Sequence, residues 1–224
     1  MSRAVLLGVA ALAFAAGAWA ALSPQDAALA LLLVAGALVL FGFVWLESGT
    51  SSAKEIALVA VLGGAGAAGR VLFVAVPGVQ PLTVVAVASG AALGARVGFA
   101  VGAVGALVSN FYLGQGVWTP WQMLAWGGCG VVGALTSHLI RNRWAFAALC
   151  FALGFAFSAA MDLWYWYSFW PHTWEALTLV YARGVWFSAF HAIGNVIFAV
   201  VIGPELRRLL ERYGRRLRVE VAWA

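Results

Sequence analysis

Charge is what this chain of 224 residues has least of: Asp, Glu, Lys and Arg make up 9% of it, against about a quarter of an ordinary soluble domain. With 64% hydrophobic residues and a mean hydropathy of +0.96, it has too little polar surface to stay dispersed in water. The bilayer must be its solvent. Cysteine is nearly absent too. Cys129 and Cys150 form no metal or redox spacing, both fall in apolar runs, and they read as small hydrophobes. Missing as well are the G-x-x-x-x-G-K-[ST] loop for nucleotide phosphates, the H-E-x-x-H zinc helix and the G-x-S-x-G nucleophile elbow. Any machinery for ATP must therefore come from another chain. Near the outer level of the core only Asp162 and Glu175 are acidic, so no intramembrane chain of carboxylates exists to relay protons or hold Na⁺. That counts against an ion-coupled pump.

The few charges present are sorted. Of thirteen Lys and Arg, eleven fall in every second gap between apolar runs or in the C-terminal stretch, and the other two, Arg70 and Arg183, sit inside apolar runs. The alternate gaps, around Pro24, Pro77 to Pro81, Asn110 to Pro120 and Trp164 to Glu175, hold neither. Basic gaps stay on the cytoplasmic face of a polytopic membrane protein, so the basic-free gaps are expected outside and both termini inside a cell membrane. The net charge of +5 is concentrated in Arg207, Arg208, Arg212, Arg215, Arg216 and Arg218. It marks placement near anionic lipid rather than nucleic-acid binding.

A helix needs roughly 20 apolar residues to cross the hydrocarbon. The pattern predicts an all-α transmembrane bundle with eight crossings at 4–22, 27–46, 56–76, 80–95, 97–112, 120–139, 144–163 and 178–203. Residues 1–22, with Arg3 and Ala18-Trp19-Ala20, imitate a cleavable secretory signal and are read here as a membrane helix. The boundary at Arg96 separates two runs in which Gly90, Gly94, Gly98 and Gly102 recur every fourth residue; charge sorting favours a turn there, and Gly94 permits one. This organisation divides the chain into a helix pair (1–46), a polar cytoplasmic linker (47–55), a six-helix core (56–205) and a basic cytoplasmic tail (206–224).

Gly64-Ala-Gly-Ala-Ala-Gly69 spells a dinucleotide fingerprint, but it lies inside an apolar run without the strand that motif needs. Ala60, Gly64 and Ala68 instead give a smooth helix face, available either for packing within the chain or for docking another subunit. In the last crossing Arg183, Phe187, His191 and Asn195 recur every fourth residue, which predicts a polar stripe facing the bundle interior. Asp162 ends the preceding crossing at the same level, so an Asp162–Arg183 ion pair is expected, with a structural or a ligand-binding role. Arg70 has no partner nearby in sequence and is the first candidate for a ligand carboxylate, phosphate or carbonyl.

Aromatics gather in the outer gaps. Trp164, Tyr165, Trp166, Tyr167, Phe169, Trp170 and Trp174 fall within twelve residues, as an interfacial belt would. A belt alone does not explain Asn110, Gln115, Trp118, Trp121, Gln122 and Trp126 around the other long gap. Trp118, Gln122 and Trp126 step by four and predict a face of ring, amide, ring, suited to a large, mostly uncharged organic ligand taken from outside.

Several of these stretches together resemble the substrate-binding S components of energy-coupling factor (ECF) vitamin transporters. They are Arg70-Val-Leu-Phe73, Pro77-Gly-Val-Gln-Pro81, the Gly94, Gly98, Gly102 ladder, Ser109-Asn110, Gly114-Gln-Gly-Val-Trp-Thr-Pro-Trp-Gln-Met123, Met161-Asp162-Leu-Trp164 and His191-Ala-Ile-Gly-Asn195. The likeness covers about residues 56–205, with the W-T-P-W-Q stretch its most specific part. It implies a vitamin-binding subunit, not an enzyme, with no cofactor or metal of its own, working with a transmembrane T component and two cytoplasmic ATPases. By the resemblance Gln80, Asn110, Gln122, Asp162 and Arg183 hold the ligand, and the stretch most looks like members assigned to cobalamin or another corrinoid. Ala60, Gly64 and Ala68 look like the T-component surface, although Gly64 departs from the family's A-x-x-x-A, and the N-terminal pair exceeds its usual six helices. Adding Arg70, Gln115, Trp118, Trp166, His191 and Asn195 from the residue reading completes the expected substrate site.

Two other readings stand beside it. A membrane enzyme acting on a lipid or prenyl substrate would use Asp162, His191 and Arg183 as a polar centre. A scaffold without ligand would consume Arg70, Gln122 and Arg183 in internal hydrogen bonds. A polar centre that is closed, dry and internally satisfied, with no way in from outside, would contradict the importer reading.

Overall fold

A computed structural model describes residues 3–20, 22, 24–26, 29, 33, 34, 36, 37, 40 and 53–222. Most of the second expected crossing (27–46) and of the expected linker (47–55) lies outside the described residues; the last three linker positions, 53–55, open α2. Those described form eight α-helices and no strand: α1 (Arg3–Ala20), α2 (Ala53–Leu72), α3 (Leu82–Leu93), α4 (Ala95–Leu113), α5 (Thr119–Leu135), α6 (Arg143–Phe169), α7 (Trp174–Val201) and α8 (Gly203–Ala222). A single 3₁₀ turn, Pro24–Asp26, follows α1. The helices α2, α4, α6 and α7 are long and apolar enough to cross a membrane.

The all-helical bundle is as expected, and so is the break at Arg96: Gly94 adopts φ +99°, closed to most side chains, and its N–H bonds to Gly90 O. The chain thereby folds α4 straight back along α3. Gly98 on α4 also comes so close to α3 and α5 that a Cβ there would lie 2.6 Å from the Cα of Gly90 and 2.8 Å from Gly130 O. Backbones can meet this closely only where side chains are missing.

Helix α3 is apolar all round and buried from Leu82 to Gly90, so it is the central strut. It is also half a crossing. Twelve residues rise only about 18 Å, so α3 begins beside Gly66 of α2 and Gly105 of α4, well below the end of α4. Phe73–Pro81, expected partly as helix and partly as an outer loop, is a non-helical segment that descends between the helices to reach it.

Helices α6 and α7 pair as an antiparallel hairpin of 27 and 28 residues, each about 40 Å long. Asn142 caps α6 by accepting from Trp144 N at 2.7 Å, and Thr173 caps α7 by accepting from Ala176 N at 3.3 Å. The stretch 164–175, expected to be a loop, is therefore mostly helix, with only Trp170–Thr173 turning between the two.

After α7 ends at Val201 the basic tail is itself helical, with Pro204 in the first turn of α8, Leu210 buried and Gly214 beside Leu93. Apolar positions at Leu206 and Leu210 pack inward while Arg208, Arg212 and Arg215 stay outside, the pattern of an amphipathic helix.

The basic segments converge on one end of the bundle. Arg96 pairs with Glu55 at 3.1 Å, joining the starts of α4 and α2, and Arg207 donates to Ser137 O and Ile140 O, joining α8 to the α5–α6 turn. Segments 73–81, 114–118 and 170–173 lie at the other end.

Candidate functional site

The last turn of α2 carries Arg70 into the interior, where its side chain is only 5% exposed. A charge in hydrocarbon must be met by oxygen atoms or neutral dipoles, and among the described residues no carboxylate contacts it. Its Nε donates to Gln80 Oε1 at 2.7 Å; its Nη1 donates to Asn110 Oδ1 at 3.0 Å, to Ser109 Oγ, and at 3.5 Å to Ala106 O. The guanidinium lies 4.3 Å from the ring centroid of Trp126, within cation–π range. Three amides continue the network. Asn110 Nδ2 donates to Gln122 Oε1 at 2.8 Å and to Thr119 Oγ1 at 3.1 Å, and Thr119 Oγ1 donates to Gln115 Oε1 at 2.9 Å.

A second cluster adjoins it through Trp126. This indole donates to Thr83 Oγ1 at 3.1 Å and stacks on Phe157 at 4.1 Å between centroids. Thr83 and His191 Nε2 lie 3.3 Å apart, and His191 Nδ1 is 2.6 Å from Gly78 O. A carbonyl can only accept, so Nδ1 carries a proton, and Nε2 is left to accept from the Thr83 hydroxyl. Both ring nitrogens of this fully buried histidine are thus engaged.

Of the candidate residues, Arg70, Gln80, Asn110, Gln115 and Gln122 thus meet in one hydrogen-bonded network, and His191 joins them through Thr83 and Trp126. Thr83, Ser109, Thr119 and Phe157 were not among the candidates. Ser109 and Thr119 lie in stretches that carry the resemblance, Thr83 was signalled only as a lone hydroxyl within an apolar run, and Phe157 had no signal.

Other candidates stand apart. Trp118 is 38% exposed, folds over Gly116 and donates to Gly114 O at 3.3 Å, outside the face that holds Gln122 and Trp126. Trp166 donates to Pro171 O at 3.1 Å and belongs to the α6–α7 turn. The expected polar stripe on α7 divides, because each four-residue step overshoots a turn by about 40° and Arg183 ends about 120° round from Asn195. His191 and Asn195 are fully buried, whereas Arg183 and Phe187 are exposed. The inward face at that level is Gly184, against which Asp162 sits; the expected Asp162–Arg183 ion pair is not formed. Asn195 Nδ2 donates to Cys150 O at 3.2 Å in the α6–α7 seam, and its Oδ1 has no partner.

No match is found among protein families, curated proteins or solved structures.

The geometry bears on each chemistry considered. Asp162 faces Gly184, seven residues and about 10 Å along α7 from His191, so Asp162, His191 and Arg183 do not converge on one centre. Among the described residues no group of three His, Cys, Asp or Glu could hold a metal ion. On α2, Ala60 and Ala68 are exposed and Gly64 has open space where a side chain would be, so that small-residue face is not used within the described chain. Its neighbours Gly63, Gly66 and Ala67 make the internal contacts instead.

Proposed function

We propose that this chain is the substrate-binding S component of an energy-coupling factor importer, capturing a vitamin-sized ligand from outside the cell, with cobalamin or a related corrinoid the first ligand to test. One observation carries the reading: the buried cation is closed in by a loop. Gln80 supplies an acceptor to Arg70 and Gly78 supplies one to His191, and both belong to the non-helical segment between α2 and α3. Irregular backbone at membrane depth is tolerated only where protein buries it or where it lines a cavity. When the segment lifts, the Arg70 guanidinium and the His191 Nδ1–H lose acceptors and stand beside Trp126, Asn110 and Gln122. A ligand bearing carbonyl, amide or phosphate oxygens replaces those acceptors.

Arg70 and Gln122 do have internal partners, as a scaffold would require, but Arg183 has none among the described residues, and closure by a loop leaves a way in that closure by helix side chains would not. The unfilled Ala60, Gly64 and Ala68 face offers the T component a surface of close approach. Purified full-length protein in detergent, titrated with cobalamin by calorimetry, is expected to bind with sub-micromolar affinity. Turnover of a lipid by the chain alone, without a vitamin ligand, would reject the proposal in favour of the enzyme reading.

A further inference from the structure

At the basic end of the bundle a cleft of about 650 Å³ opens between the α5–α6 turn and α8, lined by Arg141, Arg143, Pro204, Arg207, Arg208 and Glu211. Four guanidiniums face one carboxylate. Their engagements differ. Arg207 is committed to the fold, bonding Glu211 Oε1 at 2.7 Å and the carbonyls of Ser137 and Ile140. Arg208 pairs with Glu205 at 3.1 Å, but those side chains are 59% and 73% exposed, so solvent screens the pair and it restrains Arg208 little. Arg141 and Arg143 are exposed and make no hydrogen bond or ion pair with any described residue.

The backbone adds to the positive field, since the N-terminus of α6 lies at the cleft, where that helix starts at Arg143. An arginine fork matches two oxygens of a phosphate, and three of these arginines are free to turn towards one. The rim on the α5–α6 side is apolar: Leu139 and Trp144, beside Arg141 and Arg143 in the chain, are 63% and 65% exposed. Free phosphate needs no such rim. Acyl chains do, and an indole beside an arginine is the usual company of a headgroup.

We infer that this cleft binds the phosphodiester headgroup of an anionic phospholipid, with Arg141 and Arg143 gripping the phosphate and α8 lying along the membrane surface. The inference stands apart from the proposed importer function. Native mass spectrometry of the full chain, titrated in detergent with phosphatidylglycerol or phosphatidylcholine, tests it. The wild type is expected to retain phosphatidylglycerol preferentially, and an Arg141→Gln, Arg143→Gln double variant to bind it at least about tenfold more weakly. Neither side chain has a partner among the described residues, so the double variant is expected to keep the fold. A control, Arg212→Gln with Arg215→Gln, removes equal charge outside the cleft and is expected to keep the preference. Equal weakening by both variants would reduce the effect to diffuse attraction and overturn the site. No preference between the two lipids would also overturn it. Displacement of phosphatidylglycerol by inorganic phosphate at equal concentration would show a free-anion site and overturn the lipid assignment.

Discussion

Arg70 is held without a counter-ion among the described residues, and its acceptors come from two stretches, Gln80 of the 73–81 segment and the last turns of α4 at Ala106, Ser109 and Asn110. Losing one leaves a buried donor short of a partner, which costs about 1–3 kcal/mol. Gln80→Ala is therefore expected to lower the melting temperature of the purified protein by that equivalent; an unchanged melt would show that the loop does not hold Arg70. Parts of this centre were legible because polar residues are rare in the chain: Arg70, Gln80, Asn110 and Gln122 each stand out against apolar neighbours. Arg183 lies off this centre because a spacing of four drifts round the helix, and over three steps it leaves the face of Asn195. Thr83 and Phe157 are ordinary in a membrane helix, and only the path of the chain brings them to Trp126.

Among the elements, α3 and α4 depend on backbones that touch. Gly98→Leu would drive a side chain into Gly90 and Gly130 and is expected to abolish folding, judged by loss of the monodisperse species in gel filtration. Gly64→Leu points into open space. It should leave the melt within about 1 kcal/mol, since leucine also favours a helix over glycine, while preventing co-purification with a T component. Retained co-purification would remove the Ala60, Gly64 and Ala68 face from the account. Helix limits set by proline and glycine could be read in advance at Gly94. The length of α6 and α7 could not, because their aromatic ends suit a loop at the interface as well as a helix extending past it. Arginine-rich α8 hid its register for a similar reason: Leu206 and Leu210 are a thin apolar signal among so many charges.

For the whole molecule, charge sorting along the sequence and convergence of the basic segments on one end agree, and together they predict an orientation. Cys129 and Cys150 are buried, so an introduced cysteine can be read against a silent background. In intact cells, His172→Cys is expected to react with an impermeant maleimide and Arg212→Cys to be protected until lysis. The reverse pattern would turn the proposed capture site to the cytoplasm. The central claim is that the Arg70 centre grips a solute once the 73–81 segment lifts. Calorimetric titration of wild-type protein and an Arg70→Met variant with cobalamin, alongside a panel of other vitamins, tests it most directly. The account predicts saturable binding of one vitamin by the wild type, weakened about a hundredfold in the variant by loss of a charge-assisted hydrogen bond; equal binding by a folded variant, or no binding of any vitamin by the wild type, would contradict it.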